Sequence, residues 1–495
     1  MISLNLSIAE RFRIFQDQLR DRWYSSDLLK SGDYDLVVIP SLTLPPRELH
    51  KMRETSHYEE RFLFSLLKLQ NPLTRIIYIT SQPLSPDIID YYLRLISGVP
   101  IADSRDRLKL FSVNDPSTQP LIQKILNCPQ LINQVRQIVR SDRAYAICYK
   151  ATDLERKLSV QLGIPLLATD PDLEYLGSKS GSRKIFADCQ IPHPNGSPLV
   201  HTANDLAQEI QSLKHRNPQL QRCLVKLDRG SSGDGNALLD LRGLGDRPTL
   251  SEIHQRLATM GFQAKGDTWA SFREFIHDWG AIVETFMEGA RSPCTEGYIN
   301  PDGSVEILST HDQILGGPDG QCFLGGGFPA QADYRLQLQH YGQLVGEYLE
   351  KLGALGHYSV DFVVAQRQNT WQVQAIEINL RQVGTNHPML TMKLLTQGHY
   401  NSQDGLFYSA RGQAKYYKAT DHLERDRYRG LLPRDVIGAL IKHKLHFNSK
   451  TETGVVLHMM GCLPKLGTLG MTCMGNSPQQ AQELYGQASE ILEVF

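Results

Sequence analysis

Five short runs rich in β-branched and aromatic residues punctuate the first third of the chain, at 34–39, 75–80, 109–113, 143–148 and 165–168. Pro, Asp, Asn or Ser bounds them, which reads as strands. Between them, 58–69, 85–96, 121–139 and 153–162 carry apolar residues at helical spacing. Strands joined by helical crossovers run parallel, so this third predicts a mostly parallel sheet covered by helices. No G-x-G-x-x-G follows the first run, and a dinucleotide site is not expected there.

Beyond Asp170-Pro171 the strands become paired by tight turns. The run 223–227 enters Gly230-Ser231-Ser232-Gly233-Asp234-Gly235 and leaves through 236–241, a strand, a glycine loop and a strand. Pro301-Asp302-Gly303 separates 297–300 from 305–308, and a polar turn at 366–370 separates 358–365 from 371–379. This is antiparallel α+β organisation. A last stretch from about residue 410 holds a helix at 434–443, a strand at 454–460 and a closing helix at 478–492. A chain of 495 residues has room for about three domains.

Charge narrows the function. Lys+Arg number 52 against 53 Asp+Glu, a net charge of −1, which lacks the basic footprint of a nucleic-acid or anionic-membrane binder. The eight cysteines show no zinc spacing, so reduced thiols in a cytoplasmic protein are expected. No apolar run approaches the ~18 residues of a membrane helix.

The sharpest local feature is Ile376-Glu377-Ile378-Asn379. On a strand Glu377 and Asn379 share one face, with Ile376 and Ile378 on the other, toward the core. With the preceding turn centred near Asn369, Asp361 and Glu377 are equidistant from it and fall opposite each other. Facing carboxylates repel unless a cation lies between them. Two carboxylates and an amide oxygen are hard ligands suited to Mg²⁺ shared with nucleotide phosphates. A solvated face on an edge hairpin is the competing interpretation.

Other pieces favour a nucleotide. Lys226 precedes the glycine loop, whose backbone amides could approach phosphate oxygens; no G-K-[ST] closes it, so it is not a Walker loop. Lys179 and Lys184 open a probable helix, and Ala281-Ile282-Val283-Glu284-Thr285-Phe286-Met287-Glu288 is an apolar strand interrupted by Glu284, the kind of site an adenine ring needs. A flexible hairpin tip, a solvated helix terminus and outward glutamates are the bland alternatives.

In this order the pieces resemble the ATP-grasp superfamily of carboxylate-amine ligases over roughly 173–395. Finer wording is similar to the pheganomycin-type peptide ligases across nearly the whole chain: YEERFLF, IIYITSQPLSP, STHDQIL, FLGGGFPA, EINLRQVGTNHP and GVVLHMMGCLPKLGTLG. The resemblance implies a Rossmann-like α/β domain at 1–172, a lid subdomain with the glycine hairpin at 173–265, an ATP-grasp core at 266–410 and a small α+β domain at 411–495.

It also implies roles. Lys184 and Lys226 would contact ATP phosphates, and Gly230, Ser231, Ser232 and Gly233 would close as a lid. Glu284 with the backbone of Phe286 and Met287 would hold adenine, and Glu288 would stand in for a ribose-binding glutamate. Asp361, Glu377 and Asn379 would bind Mg²⁺, with Mn²⁺ as an alternative. Arg381 would face the γ-phosphate or acyl-phosphate. Apart from the resemblance, Arg291 lies between the adenine strand and the metal strands, where it could pair a substrate carboxylate or serve only a turn of the fold. The expected activity joins an amino acid, peptide or other small carboxylate to an amine through an acyl-phosphate. A hydroxyl kinase and a nucleotide-binding regulator without turnover remain alternatives, and a homo-oligomer is allowed.

Overall fold

The computed structural model describes residues 6–25, 31–44, 48–49, 54–230, 235–264, 266–316 and 322–493. Strands β1 (Asp35–Ile39), β2 (Arg75–Thr80), β3 (Leu108–Ser112) and β4 (Ala144–Cys148) form a parallel sheet in the order β3-β2-β1-β4. Alternation along the strands divides them between two cores. Val37, Ile39, Ile77 and Ile79 pack with Phe12 and Leu158 on one face, while Leu36, Val38, Ile76 and Tyr78 pack with Phe62, Leu66 and Ile88 on the other. The fifth expected strand reduces to a single bridge, Ala146 to Leu166. The long helix expected at 121–139 is two helices, Leu121–Leu126 and Pro129–Ile138, because Pro129 cannot continue the first but suits the first turn of the second.

Strands β5 (Arg222–Leu227), β6 (Asn236–Asp240), β7 (Gly261–Phe262) and β8 (Ala281–Thr285) make a second sheet, antiparallel, in the order β7-β6-β5-β8. Val225, Leu239, Val283 and Phe272 fill its core.

The third sheet has ten strands among the described residues. Its path runs from β13 (Thr370–Asn379) and β12 (Gly356–Arg367) through β9 (Pro293–Ile299), β10 (Val305–Gly316) and β11 (Cys322–Phe328). It continues into β16 (Ala414–Glu424), β15 (Leu406–Tyr408) and β14 (His399–Asn401), while β18 (Thr468–Gly475) pairs with β16 and with β17 (Gly454–His458). The boundary expected at 411 is therefore corrected: β16 is hydrogen-bonded to β11, Gly325 lying opposite Thr420, and the last strands extend the central sheet. A Cβ at Gly325 would lie 2.1 Å from the Ala419 carbonyl oxygen, so glycine permits the approach.

One apolar core runs from the parallel sheet through Met389 and Met392 to Leu457, Met471 and Leu492. It welds the first and last segments together, and the site lies where they meet the β12–β13 hairpin.

Candidate active site

The hairpin puts Asp361 directly opposite Glu377. The register shifts immediately beyond this pair, from Asp361–Glu377 to Phe362–Ala375, leaving Ile376 as an extra residue. Such a bulge increases the local twist and re-aims its neighbours. Ile376 is accordingly only half-buried, whereas Ile378 is fully buried in the core, so the expectation that both isoleucines pack inward holds for Ile378 alone.

Hydrogen bonds converge on this pair. Asn379 Nδ2 donates to Asp361 Oδ2 at 3.0 Å and Gln313 Nε2 donates to Oδ1 at 2.9 Å. Lys179 Nζ donates to Glu377 Oε1 at 2.5 Å and to the Gly230 carbonyl at 3.1 Å. Burial, then the facing Glu377 charge, pushes the Asp361 carboxyl well above the ordinary carboxylate range, while Arg381, Gln313 and Lys179 pull the other way. Two carboxylates pressed together in a poorly solvated site, with an amide beside them, form an all-oxygen donor set that fits a hard divalent cation. Among the described residues no group of three or more His, Cys, Asp or Glu has metal-binding geometry, and Asn379 is the amide that lies against the carboxylate pair.

Lys179 reaches this point because of how its helix starts. Ser178 caps Lys179–Asp188 by accepting from the Gly181 amide, and a Cβ at Gly181 would meet the Tyr175 carbonyl at 2.0 Å. Ser182 Oγ accepts from the Ile378 amide at 2.9 Å, pinning the helix to β13. Lys179, three residues earlier, shares that face. Lys184 lies five residues further along, about 140° around the axis. Its ammonium pairs with Asp188 of the same helix at 3.2 Å in solvent, and it is Lys179, not Lys184, that the structure brings to the carboxylate pair.

Lys226 is buried at the end of β5, and its Nζ lies 2.6 Å from Glu284 Oε2. Arg183 Nη1 lies 2.6 Å from Glu284 Oε1 and donates to the Pro194 carbonyl. Burial pushes the Glu284 carboxyl up, but the Lys226 and Arg183 charges outweigh it and leave the pKa below its ordinary value. Both carboxylate oxygens are thus engaged by cations. In this structure Glu284, expected as the adenine acceptor, is the counter-ion of these two cations, and Arg183 was not identified from sequence. Its signal was its place in the same basic run, one residue before Lys184, where the lysines overshadowed it.

Phe286 and Met287 follow the end of β8, with the Arg222 guanidinium 5.1 Å from the Phe286 ring centre. Glu288, exposed, pairs with Arg222 at 2.8 Å. Ser231, Ser232 and Gly233 lie outside the described residues, although Gly230 is tied to Lys179.

The two arginines part company. Arg381 Nη1 donates to the Tyr149 hydroxyl at 3.0 Å, and its charge bears on Asp361. Arg291 pairs through its backbone with Val364 and stacks over Trp371 at 5.4 Å. Val364 faces the core with Val360 and Phe362, and strand alternation puts Arg291 on that side, opposite Asp361. The structure does not bring Arg291 to the carboxylate pair.

Comparisons with known proteins agree with this geometry. Residues 171–265 and 247–403 match the family model described as IQCH-like, ATP-grasp, and 435–487 match the PGM1 C-terminal domain. The L-propargylglycine–L-glutamate ligase of Streptantibioticus cattleyicolor is 30% identical over 92% of this chain and 93% of its own length. The IQ motif-containing protein H of Danio rerio is 25% identical over 79% of this chain, which spans 41% of that protein. Among solved structures, the biotin carboxylase domain of Hydrogenobacter thermophilus 2-oxoglutarate carboxylase is similar in fold. It has a TM-score of 0.55 and 12% identity over 92% of this chain and 89% of that one. With facing carboxylates, buried lysines and a relative of this identity along nearly its whole length, the chain belongs to the ATP-grasp superfamily, in its pheganomycin-type peptide ligase branch.

Proposed function

We propose that the protein is an ATP-dependent ligase that joins a carboxylate to an amine of amino-acid-like substrates, releasing ADP and phosphate. The observation that carries this reading is the register of Asp361 opposite Glu377, with Asn379 and Lys179 on the same pair. A carboxylate is a poor acyl donor because oxide would have to leave. Transfer of the γ-phosphoryl of ATP to the carboxylate oxygen gives an acyl-phosphate and ADP. The amine, after losing a proton, attacks the acyl carbon, and phosphate leaves with the C–O bond.

No side-chain nucleophile is needed; the protein's work is alignment and charge neutralisation. Asp361, Glu377 and Asn379 would hold Mg²⁺, or Mn²⁺ in its place, supplying positive charge against the triphosphate. Lys179 ties the helix start to the glycine hairpin and would meet phosphate oxygens there. Lys226, held in place by Glu284, and Arg183 beside it would supply a second cationic wall. Arg381, steadied by Tyr149, would stand by the transferred phosphoryl. A hairpin closing over the site would exclude the water that destroys acyl-phosphates.

The named relative is an L-propargylglycine–L-glutamate ligase, which makes L-glutamate and other L-amino acids the first substrates to test. Seven of the eight cysteines, all but Cys322, are free thiols, and no helix of the described residues is long and apolar enough to cross a membrane. The cytoplasm is the compartment we propose. ADP release is measured against a panel of amino acids and short peptides, with mass spectrometry of products. Release that needs both an acid and an amine, with a product equal to their sum less water, supports the ligase. A stable phosphorylated product formed without an amine overturns it.

A further inference from the structure

The string Tyr58-Glu59-Glu60-Arg61 lies on a 3₁₀-type helical segment, Thr55–Gln70, and the reaction above does not use it. Glu59 is taken up inside the first domain, accepting from the Ser81 amide and hydroxyl. Glu60 accepts from the Gly461 amide, a contact with the last segment. Arg61 is different. Its Nη2 is committed to Asp421 Oδ2 at 2.6 Å, yet its Nε is shielded from solvent with no hydrogen-bond partner among the described residues. Its side chain keeps 16% exposure, so part of the guanidinium reaches the surface.

The surroundings aim that guanidinium toward the reaction. The Tyr58 ring covers it at 5.2 Å. The Arg61 carbonyl accepts from His387 Nδ1 at 2.8 Å, and His387 belongs to the helix Asn386–Thr396, which follows the strand carrying Glu377 and Asn379. Asp421 is held from behind by His458 Nε2 at 2.8 Å. Tyr149 is the link: its hydroxyl accepts from Arg381, and it lies within electrostatic reach of Arg61. Tyr149 immediately follows β4, at the carboxyl end of the parallel sheet, where open α/β sheets take their ligands. The order from the carboxylate pair outward is thus Arg381, Tyr149, Arg61 and Asp421.

The neighbouring charges are already met: Arg381 faces the Asp361 carboxyl, and Arg61 is paired with Asp421. Burial drives His387 below its ordinary pKa, so it adds no charge at neutral pH. What Arg61 still offers is the donor capacity that its pair with Asp421 does not use, and an anion is the fitting complement to a guanidinium there. A planar carboxylate matches the guanidinium fork, and the phosphates are already claimed by the lysines and Arg381.

We infer that Arg61 is a specificity-determining residue that anchors a non-reacting carboxylate of the amino-acid substrate, on the far side of Tyr149 from the group that reacts at Arg381. This rests on the ligase reading. An amino acid keeps one carboxylate spare whether it enters as amine or as a dicarboxylic acid activated at its other end, and Arg61 would fix its register.

The test compares each L-amino acid that supports ADP release with its own α-carboxamide, in wild type, Arg61→Gln, Arg61→Lys and Asp421→Asn. We expect wild type to prefer the free acid and Arg61→Gln to raise KM for the free acid roughly ten- to hundredfold. KM for ATP should stay unchanged and the preference over the carboxamide should vanish, with partial recovery in Arg61→Lys. Asp421→Asn breaks the same ion pair but keeps the guanidinium, so it should lower the melting temperature and retain the preference. A preference intact in Arg61→Gln, or lost equally in Asp421→Asn, overturns the assignment and leaves Arg61 a clamp between segments. If wild type releases no ADP with any amino acid, the ligase reading itself fails and this inference falls with it; turnover with an unmoved KM in Arg61→Gln defeats the inference alone.

Discussion

Lys179 Nζ stands 2.5 Å from Glu377 Oε1, tying the start of one helix to the end of a strand almost two hundred residues later in the chain. The same ammonium bonds the Gly230 carbonyl, so one atom gathers the helix, the glycine hairpin and the carboxylate pair. Replacing Lys179 by Met should lower amine-dependent ADP release by about 100-fold or more, the scale for losing a pre-aligned cation at a phosphoryl-transfer site. Lys184→Met should stay within about twofold, because that lysine faces solvent and its pair with Asp188 is of the weakly contributing exposed kind. Steady-state rates of the two variants side by side make the check; equal losses would return the role to Lys184.

Asp361→Asn and Glu377→Ala should each abolish ATP turnover while leaving the fold intact by circular dichroism. Chelation with EDTA should do the same to wild type, and added Mg²⁺ should restore it. Near-normal ADP release by both variants would reject the divalent-cation site.

The Glu284 carboxylate is 1% exposed between Lys226 and Arg183. Glu284→Gln would leave two buried cations without their anion, and breaking a buried pair from one side costs about 3–5 kcal/mol. A melting temperature lower by several degrees is expected, together with a raised KM for ATP as Lys226 loses its anchor. A variant that melts with wild type would mean the two cations find water instead.

Glu296 should make stability depend on pH. It lies on β9, fully buried, and accepts from Asn386 Nδ2 at 2.7 Å. Burial pushes its carboxyl up to about 8, against the partial relief of bonds from Thr385, Ser309 and Asn386. The folded chain therefore holds a proton that the unfolded chain has released above its ordinary value of 4.5. Stability from this group is complete below about pH 4.5 and is lost as pH rises through about 8. Denaturant unfolding of the unliganded protein should show a fall on the order of 5 kcal/mol across that window. Glu296→Gln, which keeps the shape and removes the titration, should flatten it; an unchanged slope in that variant would assign the loss to other groups.

Much of this was legible in the chain because it is local. The two-residue alternation of strands separates Val37 and Ile39 from Leu36 and Val38. The turn pairs Arg367 with Thr370, a register that brings Asp361 against Glu377 once the bulge at Ile376 adds one residue to β13. A turn that closes within a few residues carries its own register up to the first bulge.

Rotation and pairing over long distances were not legible. Whether Lys179 or Lys184 faces the strand depends on how Ser182 docks against Ile378, and Arg291 falls on the core side because its backbone, ahead of β9, bridges to Val364 of β12. Glu284 is occupied because Arg183 arrives from a helix a hundred residues earlier, and the C-terminal strands join the central sheet only when β16 meets β11. The sequence determined periodicity, the turns and the chemical groups on each face, since these depend on neighbours along the chain. Which of those faces meet was decided by the tertiary structure, because burying one shared apolar core is a property of the whole chain and has no local signature.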